Sequence, residues 1–389
     1  MQMKRFNDFL FISVLLLFSC NETKQGDLPE IPVDIENNIL LQLPLSEIAE
    51  TITAIELELT DEGLINPNDI KRIILSEDLV IIAQSRNILV FNKDGKFVRS
   101  IGSKGQGPGE YINIYNLAMD ETNRRLFVNC LTKIICYDLS GNVLTEFSVF
   151  RSDRWNQTEN SLNHIQDINY LNNELLVIVW SMGNEDENGI FDLAELYQLN
   201  DDLQIIESRT IMKFNATSKF TASNSKDYIL ISDSTVYLYY PFSTALPPNP
   251  ELKRRIKQLK SALRDTLYRF ENDQFVPELQ VKFRKNGIDG EGYMFIDLHN
   301  VYRSSRYVFA EYYNYAVDYD YYLFYYDTKT RKGYRVLNNR YTDDINQIER
   351  VKIRPFTTNP EMFYYWYTHM KPDDLEEPNP TLYIGTLKK

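Results

Sequence analysis

The sequence predicts an all-β fold, a six-bladed β-propeller of four-stranded antiparallel blades, from a turn recurring at a fixed interval and strand signals running along nearly the whole chain. In FNKDGKFVRSI, Asp94 and Gly95 fall between two alternating apolar runs, the pattern of a two-residue hairpin turn with both residues at positive φ. Ser140 and Gly141 hold the same place in YDLSGNVLTEF, 46 residues on, from 95 to 141. That interval matches one blade of ~40–50 residues. The 27 Tyr and 21 Phe suit pleated surfaces, where aromatic side chains pack well.

Strand signals divide the chain into six groups. The first runs from Ile70 to Gly102 and the second from Ile114 to Phe150. The third runs from His164 to Phe214, with Asp201 and Asp202 at a turn. The fourth begins at YILIS and resumes at TLYRFENDQFVPELQVKF, turning at Asn272 and Asp273. The fifth holds YMFIDLH, RYVFAEYY, YYLFYYD and GYRVL. The last has three strands, DINQIERVKI, EMFYYWYT and TLYIGTLKK. The lone strand ITAIELEL at 52–59 is expected to pair with them as the fourth strand, closing the ring and removing both sheet edges. The propeller thus occupies 51–389.

One segment departs from strand spacing. In PPNPELKRRIKQLKSALRD, Leu252, Ile256, Leu259 and Leu263 recur at helical spacing after prolines, predicting a helical insertion over about 247–264. It reads either as an elaboration packed on the propeller side or, by its basic face, as a lid or partner-docking helix.

Residues 1–19 read as a sorting signal. Lys4 and Arg5 precede the apolar stretch from Phe9 to Phe18, which is too short for a membrane helix. Leu17-Phe18-Ser19-Cys20 then resembles the end of a bacterial lipoprotein signal. Cys20 would carry a lipid, and the chain would be membrane-anchored outside the cytoplasm, on the periplasmic or cell-surface face of the outer membrane. Residues 20–50, polar with Pro29 and Pro32, read as a tether.

Without residues 1–19, which carry Lys4, Arg5 and Asp8, 40 basic and 54 acidic residues remain, a formal charge of −14. Such a chain is repelled by phosphate backbones, so nucleic acid is not an expected partner. Cys130 and Cys136 lie in neighbouring strand segments and read equally as a disulfide or as buried thiols. There is no Cys-x-x-Cys, and the three histidines, His164, His299 and His369, are far apart, so no metal set and no cofactor is read from the motifs. A carboxylate pair, or a site for calcium or another divalent metal, built from residues distant in sequence stays open.

Gly102, Gly105, Gly107 and Gly109 invite comparison with a phosphate cradle. That chemistry needs the loop to open a helix, whereas Pro108 and the flanking strands predict a blade-to-blade crossing braced by Glu110. The run YVFAEYYNYAVDYDYYLFYY places half its tyrosines in packing by strand alternation. Tyr313, Tyr315 and Tyr319 are the candidates for ligand contact, and so are Trp155 and Arg151 in the connection after the second blade. No nucleophile elbow or metalloprotease motif is present.

The segment DGKFVRSIGSKGQGPGEY at 94–111 resembles the six-bladed propeller lipoproteins of Gram-negative gut bacteria, akin to NHL and TolB-like propellers, which carry D-x-G-K-F followed by I-G-x-x-G-x-G-P-G-E-Y. IELELTDEGLI at 55–65 and the closing NPTLYIGTLKK extend the likeness over 45–389. The resemblance implies the fold and says little of chemistry. The lipoprotein signal and a ring without catalytic motifs point to a module binding a glycan, a peptide or a membrane protein; the alternative is a hydrolase or lyase centred on a metal or carboxylates. Cys20→Ala is expected to release the protein from membranes, scored by fractionation; continued retention contradicts the lipid anchor.

Overall fold

The structure, a computed structural model, describes residues 28–35, 37–148, 162–187, 189–215, 228–240, 265–283, 296–314, 320–338, 340–370 and 377–389. Five four-stranded units follow in chain order. Blade 1 is Ile70–Leu75, Leu79–Gln84, Ile88–Asn92 and Phe97–Ser100. Blade 2 is Asn116–Asp120, Arg125–Asn129, Lys133–Asp138 and Val143–Ser148, and blade 3 is Leu162–Leu171, Glu174–Asp186, Gly189–Leu199 and Ile205–Asn215. Blade 4 holds Ile229–Ser232, Thr235–Leu238, Thr266–Glu271 and Gln274–Phe283, and blade 5 holds Ile296–Arg303, Tyr307–Asn314, Asp320–Asp327 and Lys332–Leu337.

The ring has seven blades, not the six expected from sequence. Tyr341–Asp343 and Ile348–Val351 form a short hairpin that stands as its own sheet, blade 6, with Leu43–Pro44 as its third strand. DINQIERVKI is expected in the last blade, but Ile348–Val351 pairs with Tyr341–Asp343 and not with the strands that follow. Strands of three and four residues carry too little alternation to be recognised as a separate sheet. Blade 7 is Arg354–Phe356, Asn359–Tyr367, Thr381–Leu387 and Ala49–Glu56. Ala49–Glu56 lies antiparallel to Thr381–Leu387, so the two ends of the propeller share a sheet.

Middle strands are apolar on both faces because each sheet is buried between two others. In blade 1, Ile81, Ala83, Ile88 and Val90 pack against Leu117, Leu126 and Val128 of blade 2. The alternate residues Val80, Ile82, Leu89 and Phe91 pack against Phe356, Tyr364, Leu382 and Ile384 of blade 7. The same division of faces joins blade 2 to 3, 3 to 4 and 4 to 5. Blades 5, 6 and 7 share one cluster around Tyr302, Leu323, Tyr341 and Tyr365.

Turn chemistry repeats with the blades. Asn92 Oδ1 accepts from the amides of Asp94 and Lys96, Asp138 Oδ1 from Ser140 and Asn142, and Asn200 Oδ1 from Asp202 and Gln204. Only the last loop residue is left-handed, Gly95 at φ 80°, Gly141 at 94° and Leu203 at 56°. The turn at 94–95 therefore differs from the expected pair of positive φ values: the Asx side chain holds the first part in ordinary conformation. Paired positive φ occurs instead at Asn172–Asn173, Asp233–Ser234 and Asn272–Asp273.

Part of the segment read as a tether is built into the ring. Glu30–Val33 adds in parallel to Gln274–Phe283, Ile39–Leu40 to Lys332–Leu337, and Leu43–Pro44 to Tyr341–Asp343. With Ala49–Glu56 this strap covers the outer edges of four successive blades, and its own Ile31, Val33, Leu43 and Leu45 are buried against them. Among the described residues there is no α-helix, only 3-10 turns at Leu45–Glu47 and Pro67–Asp69, and no helix is long and apolar enough to cross a membrane. The helical insertion expected at 247–264 lies outside the described residues.

At the centre the inner strands are joined by polar groups. Asp167 of blade 3 is fully buried; its Oδ1 accepts from Arg72 Nη2 of blade 1 at 2.8 Å and Asn116 Nδ2 of blade 2 at 2.8 Å. Its Oδ2 accepts from the amides of Tyr228 and Ile229 of blade 4 at 2.8 and 2.9 Å. Arg72 Nη1 also donates to the carbonyls of Leu117 and Ile168. Asp167→Ala strips a buried guanidinium of its carboxylate, so we expect a loss of about 3–5 kcal/mol in urea unfolding. Asp78→Ala, which removes an exposed pair with Arg124, is expected to leave the urea midpoint unchanged.

Candidate functional site

The glycine-rich loop is a packed crossing between blades 1 and 2. Ser103–Lys104 runs parallel to Glu110–Tyr111, and the amides that a phosphate would need are engaged: Gly105 N donates to Tyr111 O, Gly107 N to Glu110 Oε2 and Gly109 N to Glu146 Oε2. Two carboxylates thus take up these amides and oppose an anion. Tyr111 Oη donates to Ile101 O at 2.9 Å and Tyr137 Oη to Gly109 O at 2.6 Å. Burial pushes the Tyr111 phenol up to about 12. Gly102 and Gly109 are left-handed, at φ 70° and 68°. A Cβ on Gly109 would stand 2.2 Å from Val143 Cγ2. Pro108 lies within this crossing, and Asp94 and Gly95 lie in the last hairpin of blade 1, where Gly95 O accepts from Glu58 N beside the closing strand.

Of the expected ligand-contact residues, Tyr313 is the one the structure describes. Tyr313 belongs to the strand Tyr307–Asn314, not to a loop, with its ring 5.1 Å from Tyr321 and 5.1 Å from His299. Cys20, Arg151, Trp155, Tyr315 and Tyr319 lie outside the described residues. Cys130 and Cys136 are free thiols, raised by burial to about 12 and about 11. Among the described residues no three His, Cys, Asp or Glu side chains cluster as metal ligands.

A cavity of about 660 Å³ opens where the strap crosses from blade 4 to blade 5. Its walls come from Glu30, Pro32, Val33, Asp34 and Asn38, from Lys282 and Phe283, and from Phe324, Tyr326 and residues 331–335. Gly333 permits the close approach of Phe324, whose Cζ would lie 2.5 Å from an added Cβ. Arg335 is 1% exposed; its Nε and Nη2 donate to Asn37 O at 3.2 and 3.0 Å, and its guanidinium lies 5.2 Å from the Tyr322 ring centroid. Glu30 pairs with Lys282, and Asp34 accepts from Asn37 N and Nδ2. Arg331 and Lys332 are exposed at the mouth.

The turn that presents them is organised by Asp327. Its Oδ1 accepts from Lys329 N, Thr330 N and Arg306 Nε, and its Oδ2 from Arg306 Nη2 at 2.7 Å. The Arg306 guanidinium, with the turn amides, holds this carboxyl at about 2. No sequence motif points to the cavity, whose one residue named from sequence, Pro32, reads there as tether. The alternation of EIPVDI, with Ile31 and Val33 buried, is the local signal of a strand there.

The chain matches, over residues 28–383, the family described as a domain of unknown function (DUF4934). It belongs to that family. Among solved structures, the putative exported protein from Bacteroides fragilis NCTC 9343 superposes with a TM-score of 0.60 at 16% identity, covering 92% of this chain and 100% of that one. This likeness shows the propeller fold. The WD40 domain of Neurospora crassa Pan2 (TM-score 0.39, 10% identity, 82% of this chain and 76% of that one) is a more distant neighbour. So is the β-propeller domain of the Trilobed protease from Pyrococcus furiosus (0.39, 12% identity, 82% and 81%). No curated protein sequence matches the chain.

Gly109→Ala combines a left-handed φ with a clash and is expected to cost about 2 kcal/mol or more in urea unfolding. Gly141→Ala, whose Cβ meets only Ser100 O at 4.0 Å, is expected to cost about 1 kcal/mol. Because the folded Asp327 carboxyl titrates below an unfolded one at about 3.9, it contributes stability above pH ~4 that is lost as pH falls toward 2. The stability gap between wild type and Asp327→Asn is therefore expected to be constant above pH ~5 and to close by pH ~2.

Proposed function

We propose that this chain is a lipid-anchored, extracytoplasmic propeller that binds a small ligand, a glycan or a peptide, in the cavity between blades 4 and 5. The observation that carries the reading is the cavity itself: about 660 Å³, within the ~300–1,000 Å³ of small-molecule sites, with aromatic walls and a few placed charges. Export and anchoring are supported by the basic start, apolar stretch and Cys20 of the leader, and by a fold neighbour described as a putative exported protein. The rigid ring fixes both walls, so a ligand finds them preorganised.

Thermal unfolding of the purified chain against a panel of glycans and peptides tests the reading. A hundredfold excess over the dissociation constant is expected to add ~2.7 kcal/mol of stability. Tyr326→Ala, at a half-buried wall position, is expected to abolish the shift. Binding that survives this change and Arg331→Glu would place the site elsewhere.

A further inference from the structure

We infer that the cavity between blades 4 and 5 takes an anionic ligand, an acid group carried on a ring, the chemistry of an acidic saccharide, with Arg335 as its anchor. The inference rests on the reading of this cavity as the binding site and names its ligand class. Arg335 is a charged guanidinium at 1% exposure that lines the cavity. Its neighbours supply a carbonyl oxygen and a ring face: Asn37 O takes Nε and Nη2, and Tyr322 lies alongside. Among the described residues no carboxylate stands within ion-pair distance of it. By contrast, the other buried guanidinium, Arg72, is matched by Asp167. A desolvated cation without a counter-charge is costly, and a ligand acid group completes it, with charge-assisted bonds to the guanidinium fork.

The charge around the cavity leans the same way in a chain of net charge −13. Glu30 is paired with Lys282, and Asp34, which accepts from Asn37 and keeps its charge, is outnumbered in the lining by Arg331, Lys332 and Arg335. Arg331 and Lys332 at the mouth have no carboxylate in ion-pair distance among the described residues. They are held out by the turn that Asp327 organises. Tyr326 and Tyr334 on the walls are half-buried, each offering a flat face and a hydroxyl suited to a sugar ring.

The test is titration of the purified chain by calorimetry with a uronic-acid oligosaccharide, its neutral carboxyl-reduced counterpart and inorganic phosphate. Wild type, the double variant Arg331→Glu/Lys332→Glu and Tyr326→Ala are compared. The mouth residues are exposed, so the charge reversal leaves folding intact where a change at Arg335 need not. The inference expects the acidic oligosaccharide to bind about tenfold or more tighter than the neutral one, and the reversal to weaken it by about tenfold. Equal binding of acidic and neutral forms, both lost in Tyr326→Ala, would overturn the anion inference while keeping the site. Binding indifferent to all three substitutions would overturn the site as well. Phosphate binding as tightly as the oligosaccharide would remove the ring from the ligand class, and no binding of any probe at millimolar concentration would overturn the inference.

Discussion

The Asp167 carboxylate sits where blades 1 to 4 converge, and the ring is built outward from it. Five donors meet its two oxygens: one guanidinium arm, one side-chain amide, and the backbone amides of Ile168, Tyr228 and Ile229. Inner propeller strands face one another without a continuous ladder between blades, so their backbone groups need partners from side chains. Arg72 and Asp167 supply these in a setting where an ion pair is tolerated because nearly every lone pair and proton is engaged. Apolar faces then pack blade on blade, alternating by residue along each strand.

The strap solves a different problem. Residues 30–56 place strands on the outer edges of blades 4 to 7, the edges that would otherwise offer unpaired backbone to other chains. Three of its pairings are parallel, which a chain makes only by running around the ring in one direction. Crossing from blade to blade leaves a gap beneath it, and between blades 4 and 5 that gap is the cavity. The buried Arg335 is fastened to the strap by the Asn37 carbonyl, so the same contact shapes the edge and positions the charge.

The closure is also held by small contacts at the chain ends. Asn379 donates to the carbonyls of Glu58 and Gly63 and accepts from Ile65 N, and Glu58 in turn bonds Gly95 O and Phe97 N. Gly95 is required there for a reason beyond its turn: a Cβ would stand 1.9 Å from Glu56 O. The hairpin glycine that marks the first blade is therefore also where that blade abuts the closing strand.

By itself the sequence determined the all-β class, the strand groups of blades 1 to 5, the crossing at 102–111 and the pairing of the early strand with the C-terminal one. Each of these rests on local signals: alternation, Asx and glycine turns, and glycines whose neighbours lie within a few residues or in the next blade. The tertiary structure decided the separate three-stranded blade 6, the strap and the cavity. Leu43–Pro44 pairs with Tyr341–Thr342 across nearly the whole chain, and strands of two or three residues carry no periodicity of their own. The basic pair Arg331 and Lys332 and the polar residues Asp34 and Asn38 look like ordinary solvated chain in sequence. Only the ring places them around one cavity, because pairing across such separations is chosen by packing and not by propensity.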